Sequence, residues 1–359
     1  MNIIIAFGGK SVEHDISIIT YFQILKSIDL KKYEVYPVYF SRDNNIYYSK
    51  KFFEMDIFKS QDIKNNKKVK RVKFENINNH AYMFVNKKKI AVDVAVVSMH
   101  GKDLEDGTIS GFFKILGVPT TCNDVDVSSI LHDKYYMKQV LEKIGIKVVN
   151  YKLLSKRDSF DNLDGEKIVK ACKLGSSIGV KKACGNEEIK LAIKECLQYD
   201  DRVIIEDVLT NYIELNQAIY SKKGKIILSA IEEVKNNNEL YTFEKKYQAP
   251  CERILPAKIN KKLEQKVNKI SEKIGNFFLI NGVCRIDYLY DLDNKILYVN
   301  EINLIPGAFS YYLFEEKGIF FRDLLDDLIT GAIRKKYDEN LKISSFPSSV
   351  LFSEFNNKK

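Results

Sequence analysis

Apolar positions along this chain fall into short continuous runs and helically spaced faces. Asn2–Phe7 is a continuous apolar run ending at Gly8-Gly9, the pattern of a buried first strand. Ile16–Ile28 carries apolar residues at helical spacing, and Val35–Phe40 predicts a second strand. This β-loop-α-β opening predicts the start of a doubly wound α/β domain. Residues 41–90 predict an excursion of short polar strands and a helix. Val92–Met99 is again continuously apolar and ends at His100-Gly101, and Thr108–Leu116 predicts a helix stopped by Gly117 and Pro119. A first domain over 1–122 follows.

Asp133–Ile144 predicts a Lys-rich helix closed by Gly145. Ile168–Lys170 and Ile178–Lys181 predict strands around a glycine-rich turn, Glu187–Gln198 a helix, and Val203–Asp207 a strand. Together they predict a small α+β unit over 123–206. A larger sheet over 207–345 is expected from Leu215–Tyr220, Ile226–Val234 and a hairpin, with an amphipathic helix at Lys261–Phe278 and a terminal helix at Ile319–Ile329. Residues 346–359 are expected to be a poorly ordered tail.

That hairpin carries the sharpest chemical signal. Val283–Tyr290 and Ile296–Ile302 flank the polar turn at Asp291–Lys295. Arg285 and Asp287 stand two residues apart, as do Glu301 and Asn303, so each pair shares a sheet face. Two carboxylates, an amide and a guanidinium then converge. Hard oxygen donors of this kind suit Mg²⁺, and an adjacent Arg suits charge developing on a phosphate or carbonyl oxygen. From period and spacing alone, a solvated strand face is an equal reading.

Composition narrows the class. Hydrophobic residues make up 45% and charged residues 29%, as in ordinary globular proteins. No apolar run reaches about 18 residues, and the MNIIIAFGGK start lacks a basic n-region, so neither a membrane span nor a signal peptide is expected. The cysteines at 122, 172, 184, 196, 251 and 284 show no CxxC spacing. Free thiols in a reducing cytoplasm are expected rather than zinc or disulfides. Net charge is +9, with basic runs at Lys64–Lys73 and Lys87–Lys89. They alternate with apolar residues as exposed strands do and accompany no nucleic-acid module, so no nucleic-acid partner is expected.

Other candidates are individually weaker. Gly9-Lys10-Ser11 lacks the spacing of either nucleotide fingerprint. It leaves a glycine turn before a helix start, which suits an anion or simply an N-cap by Ser11 or Asp15. Leu174–Gly179 could cover phosphates with backbone N–H groups or serve as a plain turn. Lys170, in an apolar strand, should face a cleft with an anion in it, and Lys134 heads a helix in the same unit. The stretch around Tyr241–Tyr247 predicts a functional loop. His100 stands at the C-terminal end of a buried strand, where α/β sheets bind ligands, though a structural role fits equally.

Taken in order, these stretches resemble the ATP-grasp superfamily, and within it the D-alanine–D-alanine ligase family. GGKSVEHDIS, HGKDLEDGTISGFFKILGVPTT, HDKYYMK, IVKACKLGSSIGV, LYTFEKKY and CRIDYLYD…YVNEIN with its following PG each resemble a family motif. The resemblance implies an ATP-grasp fold behind an N-terminal preATP-grasp domain that receives the first substrate. It implies that Lys134 and Lys170 contact ATP phosphates, with Ser177 in the phosphate hairpin. Glu206, Asp207, Val208 and Leu209 would read adenine, Glu214 the ribose, and Lys246 the γ-phosphate. Asp287, Glu301 and Asn303 would ligate two Mg²⁺ ions (Mn²⁺ being possible), next to Asn300. Arg285 would stabilise the acyl phosphate and the tetrahedral intermediate. Glu13, Ser176 and Tyr247 would form a hydrogen-bonded trio, with Glu13 holding the first substrate's ammonium. His100, Gly307, Tyr312 and Leu313 would line the substrates.

The implied reaction is ATP-dependent joining of two D-alanines for peptidoglycan precursors, in a cytoplasmic homodimer. Where the family has polar residues after the metal-binding Asn, this chain has Leu304, Phe309, Tyr311 and Tyr312. A related ligase with another acceptor amino acid or amine is therefore a second expectation. Tyr247 favours an amine over a hydroxy acid.

Overall fold

The structure is a computed structural model that describes residues 1–59, 63, 65–160, 163–175, 178–235, 252–343 and 347. Among these residues the strands form three sheets.

The first is built on β1 (Asn2–Gly8), which pairs in parallel with β2 (Glu34–Phe40) and, on its other side, with β7 (Val94–Val97). The Ile3–Phe7 side chains have no solvent exposure, as expected of a strand covered on both faces. Helix α1 (His14–Ser27) makes the crossover between β1 and β2. The 41–91 excursion extends this sheet instead of leaving it. β3 (Ile46–Tyr48), β4 (Lys70–Ile77), β5 (His80–Val85) and β6 (Lys88–Ala91) add antiparallel strands beyond β2, with the one-turn helix α2 (Asp56–Lys59) between β3 and β4. The parallel, doubly wound part is thus confined to β2-β1-β7. Beyond them come helices α3 (Thr108–Ile115) and α4 (Val125–His132).

The second sheet follows α5 (Lys134–Lys143) and has the order β10-β9-β11-β8. Its strands are β8 (Tyr151–Ser155), β9 (Glu166–Ala171), β10 (Val180–Cys184) and β11 (Arg202–Asp207), backed by α6 (Asn186–Cys196). Asp133 caps α5, accepting from the Tyr135 and Tyr136 amides at 3.0 and 3.3 Å, and its other oxygen meets Arg202 at 2.5 Å. This cap fixes Lys134 at the helix start, facing the cleft between the second and third sheets.

The third sheet has the order β14-β13-β12-β15-β16. It contains β12 (Tyr212–Lys222), β13 (Lys225–Val234), β14 (Arg253–Ile254), β15 (Cys284–Asp291) and β16 (Ile296–Asn303). Helix α7 (Lys261–Phe277) covers one face with Leu263, Val267 and Ile274. A short helix α8 (Tyr311–Glu315) and the long α9 (Phe321–Asn340) end the described chain. The apolar face of α9, including Leu324, Leu325 and Leu328, joins the core of the first sheet. Lys32–Asp326 at 2.7 Å and an Arg322–Asp29 pair tie the same surfaces together. α9 runs well past the expected Ile329: Gly331 inside it costs only about 1 kcal/mol, no Pro follows before its end, and Ala332 continues the buried face. The expected tail falls largely outside the described residues.

Candidate functional site

Strand register builds the centre of the site. Across three successive pairings of the third sheet, Glu232 is opposed to Asn216, Asn216 to Asp287, and Asp287 to Glu301. Directly opposed residues share a sheet face, so four polar side chains form one row over four strands. Arg285 is opposed to Asn303 one step along. The expected convergence of Arg285, Asp287, Glu301 and Asn303 is therefore present. The register shifts after Asp287, and Asn300 is left without a partner. Such a bulge turns an extra side chain toward the site. Asn300 Oδ1 accepts from Lys170 Nζ at 3.1 Å, which joins the third sheet to the second.

The charges are closely matched. Arg285 donates to both oxygens of Asp287, from Nε at 2.7 Å and Nη2 at 2.8 Å. Burial alone would lower the Arg285 guanidinium, but the Asp287 charge carries it upward instead. Asn303 Nδ2 donates to Asp287 at 2.9 Å. Two opposed carboxylates, Asp287 and Glu301, repel unless cations intervene. Arg285 supplies one, and Lys134 Nζ, 4.0 Å from Glu301, another. Among the described residues no three His, Cys, Asp or Glu side chains gather as around a metal. Two carboxylates and an amide nevertheless fit Mg²⁺, which takes few protein ligands and leans on substrate phosphates.

On the second sheet, Lys170 does not wait unpaired for an anion. Its Nζ lies 2.6 Å from Glu206 Oε2, and Lys138 Nζ lies 2.8 Å from the other oxygen. Burial would raise the Glu206 carboxyl, but Lys170 and Lys138 hold it below its ordinary value. Burial depresses Lys138, whereas for Lys170 the Glu206 charge outweighs burial and raises it. Glu206 was expected in an adenine strand that works largely through its backbone; its side chain bridges two lysines inside the protein. Asp207 turns outward to Lys167 at 2.7 Å and Asn150 at 2.9 Å. Val208 and Leu209 follow, half-buried, in the link to β12. Glu214 lies on β12 two residues before Asn216, on the site face. The Lys134 ammonium also donates to the Leu174 carbonyl of the glycine-rich turn.

The first unit reaches the same cleft. Glu13 is buried, and a methyl group on Gly175 would stand 3.4 Å from its Oε2. This brings Glu13 to the turn that carries Ser176 and Ser177, two residues outside the described ones, as are Lys246 and Tyr247. Gly101, with φ +94°, lets the two loops close: a Cβ there would lie 2.1 Å from Ser11 Oγ and 2.9 Å from Glu13 Oε2. The expected N-cap needs correcting. Glu13 itself occupies that position without a side-chain cap, and Ser11 Oγ accepts from the Glu13 amide at 3.1 Å in the preceding turn. His100 is buried, with Nε2 3.0 Å from Thr20 Oγ1 and Nδ1 2.7 Å from the Ile305 carbonyl. Burial would lower its pKa, but Glu105, 3.6 Å away, and Glu13 raise it overall. Its ring thus holds the turn after β16.

In that turn Ala308, Phe309 and Ser310 all have left-handed φ between 49° and 55°. Such backbone strain in non-glycine residues gathers at functional sites. Gly307 opens the turn and has no neighbour where a Cβ would stand. Leu313 is fully buried in the core, so only its backbone can face a substrate. Tyr312 OH donates to Glu232 Oε2 at 2.8 Å and accepts from Arg253 Nη1 at 2.9 Å. Sequence reasoning missed Lys138, Glu105, Asn216, Glu232 and Arg253. Of these Lys138 had a signal, four residues after Lys134 on one helix face.

Residues 2–122 match the model described as D-ala D-ala ligase N-terminus, and residues 140–330 the D-ala D-ala ligase C-terminus. The D-alanine–D-alanine ligase of Thermosipho melanesiensis is 36% identical over 98% of both chains.

The chain belongs to the D-alanine–D-alanine ligase family.

Solved structures agree on the fold. A D-alanine–D-alanine ligase from Coxiella burnetii superposes with TM-score 0.82 at 23% identity, covering 95% of this chain and 96% of that one. One from Bacillus anthracis, complexed with ATP, gives 0.69 at 23%, covering 94% and 99%. The ATP-grasp fold with its N-terminal α/β domain is thus as expected for this D-alanine–D-alanine ligase family member. The curated relatives bear the dipeptide ligase name, so a different acceptor is not favoured. Among the described residues no helix is long and apolar enough to cross a membrane.

Proposed function

We propose that the protein condenses two D-alanine molecules at the expense of ATP, releasing ADP and phosphate, to supply peptidoglycan precursors in the cytoplasm. The carrying observation is the meeting of Asp287, Glu301, Arg285, Lys134 and Lys170 between two sheets in a chain of this family. Lys134 and Lys170 bind the phosphates, and the Glu206–Leu209 strand end, with Glu214, receives adenosine. Asp287, Glu301 and Asn303, beside Asn300, hold two Mg²⁺ ions, which neutralise phosphate charge when bound; Mn²⁺ can replace them.

Glu13 receives the donor's ammonium. The donor carboxylate attacks the γ-phosphorus to give an acyl phosphate, with charge on the transferring group met by the lysines. The acceptor amine then attacks the acyl carbon while Arg285 stabilises the developing oxyanion, and phosphate leaves. The trio of Glu13, Ser176 and Tyr247, together with Lys246 and Ser177, closes the site against water. Residues 1–122, 123–206 and 207–345 act as donor, central and metal-binding units of a homodimer.

Purified protein incubated with ATP, Mg²⁺ and D-alanine should release phosphate and D-alanyl-D-alanine in equal amounts. Dipeptide formation only with some other amino acid would keep the ligase chemistry and reject D-alanine.

A further inference from the structure

Beside the phosphate half of the cleft stands a second polar cluster whose members the reaction outlined above leaves largely unused. Its anchor is Glu232, which has no solvent exposure and lies two strands from Asp287 in the same row. Three groups surround it. Tyr312 OH donates to Oε2 at 2.8 Å and lies 3.3 Å from Oε1; Arg253 Nη1 lies 3.2 Å from Oε1; Asn216 stands opposite on β12, its amide nitrogen donating to Asp287 Oδ1 at 3.2 Å. Arg253 also donates to the Tyr312 hydroxyl at 2.9 Å, and its guanidinium sits 5.8 Å from that ring's centre.

A phenol has one proton. Here that proton is committed to a buried carboxylate, so the Tyr312 hydroxyl is an acceptor toward Arg253 and has nothing to donate to a substrate anion. A hydroxyl at this position cannot therefore hold the acceptor's carboxylate in this arrangement. The cation beside it can: the Arg253 side chain is 46% exposed on the sheet face that Glu232 shares, and Glu232 and Tyr312 help to orient it. The row Glu232–Asn216–Asp287 ties the cluster to the reacting centre across β12.

Resting on the dipeptide-ligase reading, we propose that Arg253 recognises the carboxylate of the acceptor amino acid, with Glu232 and Tyr312 as its positioning residues. A guanidinium suits this task because its planar fork matches a carboxylate with two parallel hydrogen bonds. Glu232 balances its charge when the subsite is empty.

The test compares two acceptors in the same assay, D-alanine and D-alanine amide, whose products differ in mass. Wild-type enzyme should prefer the carboxylate-bearing acceptor by roughly ten- to a hundredfold in kcat/KM, the range of a hydrogen bond to a charged group. In Arg253→Ala that preference should shrink to about threefold or less, with KM for ATP and for the donor unchanged. Arg253→Lys, which keeps charge without the fork, should fall between and serves if the alanine variant does not fold. An undiminished preference in either variant overturns the inference while leaving the ligase reading intact. A wild-type protein that makes no dipeptide at all removes both.

Discussion

Two buried carboxylates, Glu206 and Glu232, flank the same cleft and are held in opposite ways. Glu206 faces two ammonium groups, at 2.6 and 2.8 Å, so its cluster carries one net positive charge. Among the described residues Glu232 faces one guanidinium, one phenol and one amide, so the charges there balance. On the proposed reading the first cluster meets a triphosphate and the second a single carboxylate. The contrast shows how one cleft grades its field. Surplus cation stands where the ligand is polyanionic, and balanced charge stands where one ion pair must form and release each turnover.

Breaking the first cluster should have the largest effect. Glu206→Gln leaves Lys138 and Lys170 buried without their shared anion, and removing one partner of a buried ion pair costs about 3–5 kcal/mol. Urea unfolding at neutral pH should show this loss, and a variant as stable as wild type would mean that solvent reaches the lysines. The pH dependence has a definite sign. Because the folded-state pKa of Glu206 is lowered, its stabilisation is full above the ordinary value of 4.5 and is lost as pH falls through the lower folded value. The gap between wild type and Glu206→Gln should therefore narrow in acid.

Lys170→Met comes next and separates binding from stability. Glu206 retains Lys138, so unfolding should shift less than for Glu206→Gln. kcat/KM for ATP should fall roughly a hundredfold or more, as for loss of one preorganised group at developing charge. Unchanged ATP kinetics would place the phosphates away from β9.

The parts of the site also differ in how far the sequence discloses them. Arg285, Asp287, Glu301 and Asn303 lie on one hairpin, where period-two spacing and a short turn set the cross-strand register locally. Lys134 and Lys170 stand out as cations in or beside apolar segments. Glu232 has no such local mark: followed by Glu233 near the end of β13, it resembles a solvated strand end. Only the pairing of β13, β12 and β15, distant in sequence, places it in line with Asp287. Arg253 shares this difficulty, its two-residue strand being too short to carry a pattern. The helix at Val125–His132 was missed for another reason. Its β-branched and Ser residues have weak helix propensity, and packing against its neighbours decides the matter. The 41–91 strands were visible as strands, but nothing in their alternation says which sheet they extend.

Tyr312→Phe is the smallest of these perturbations and the most discriminating. It deletes one hydroxyl and leaves the ring where it packs. Glu232 loses one donor and Arg253 one acceptor, a change of about 1 kcal/mol. KM for the acceptor should rise by about fivefold at most, since Arg253 still reaches Glu232, and KM for ATP should stay put. If the phenylalanine variant instead lost acceptor affinity as fully as Arg253→Ala, the hydroxyl itself would be the carboxylate's donor. Its proton would then have to swing from Glu232 to the substrate during turnover, and the neutral cluster would be a resting state rather than the binding surface.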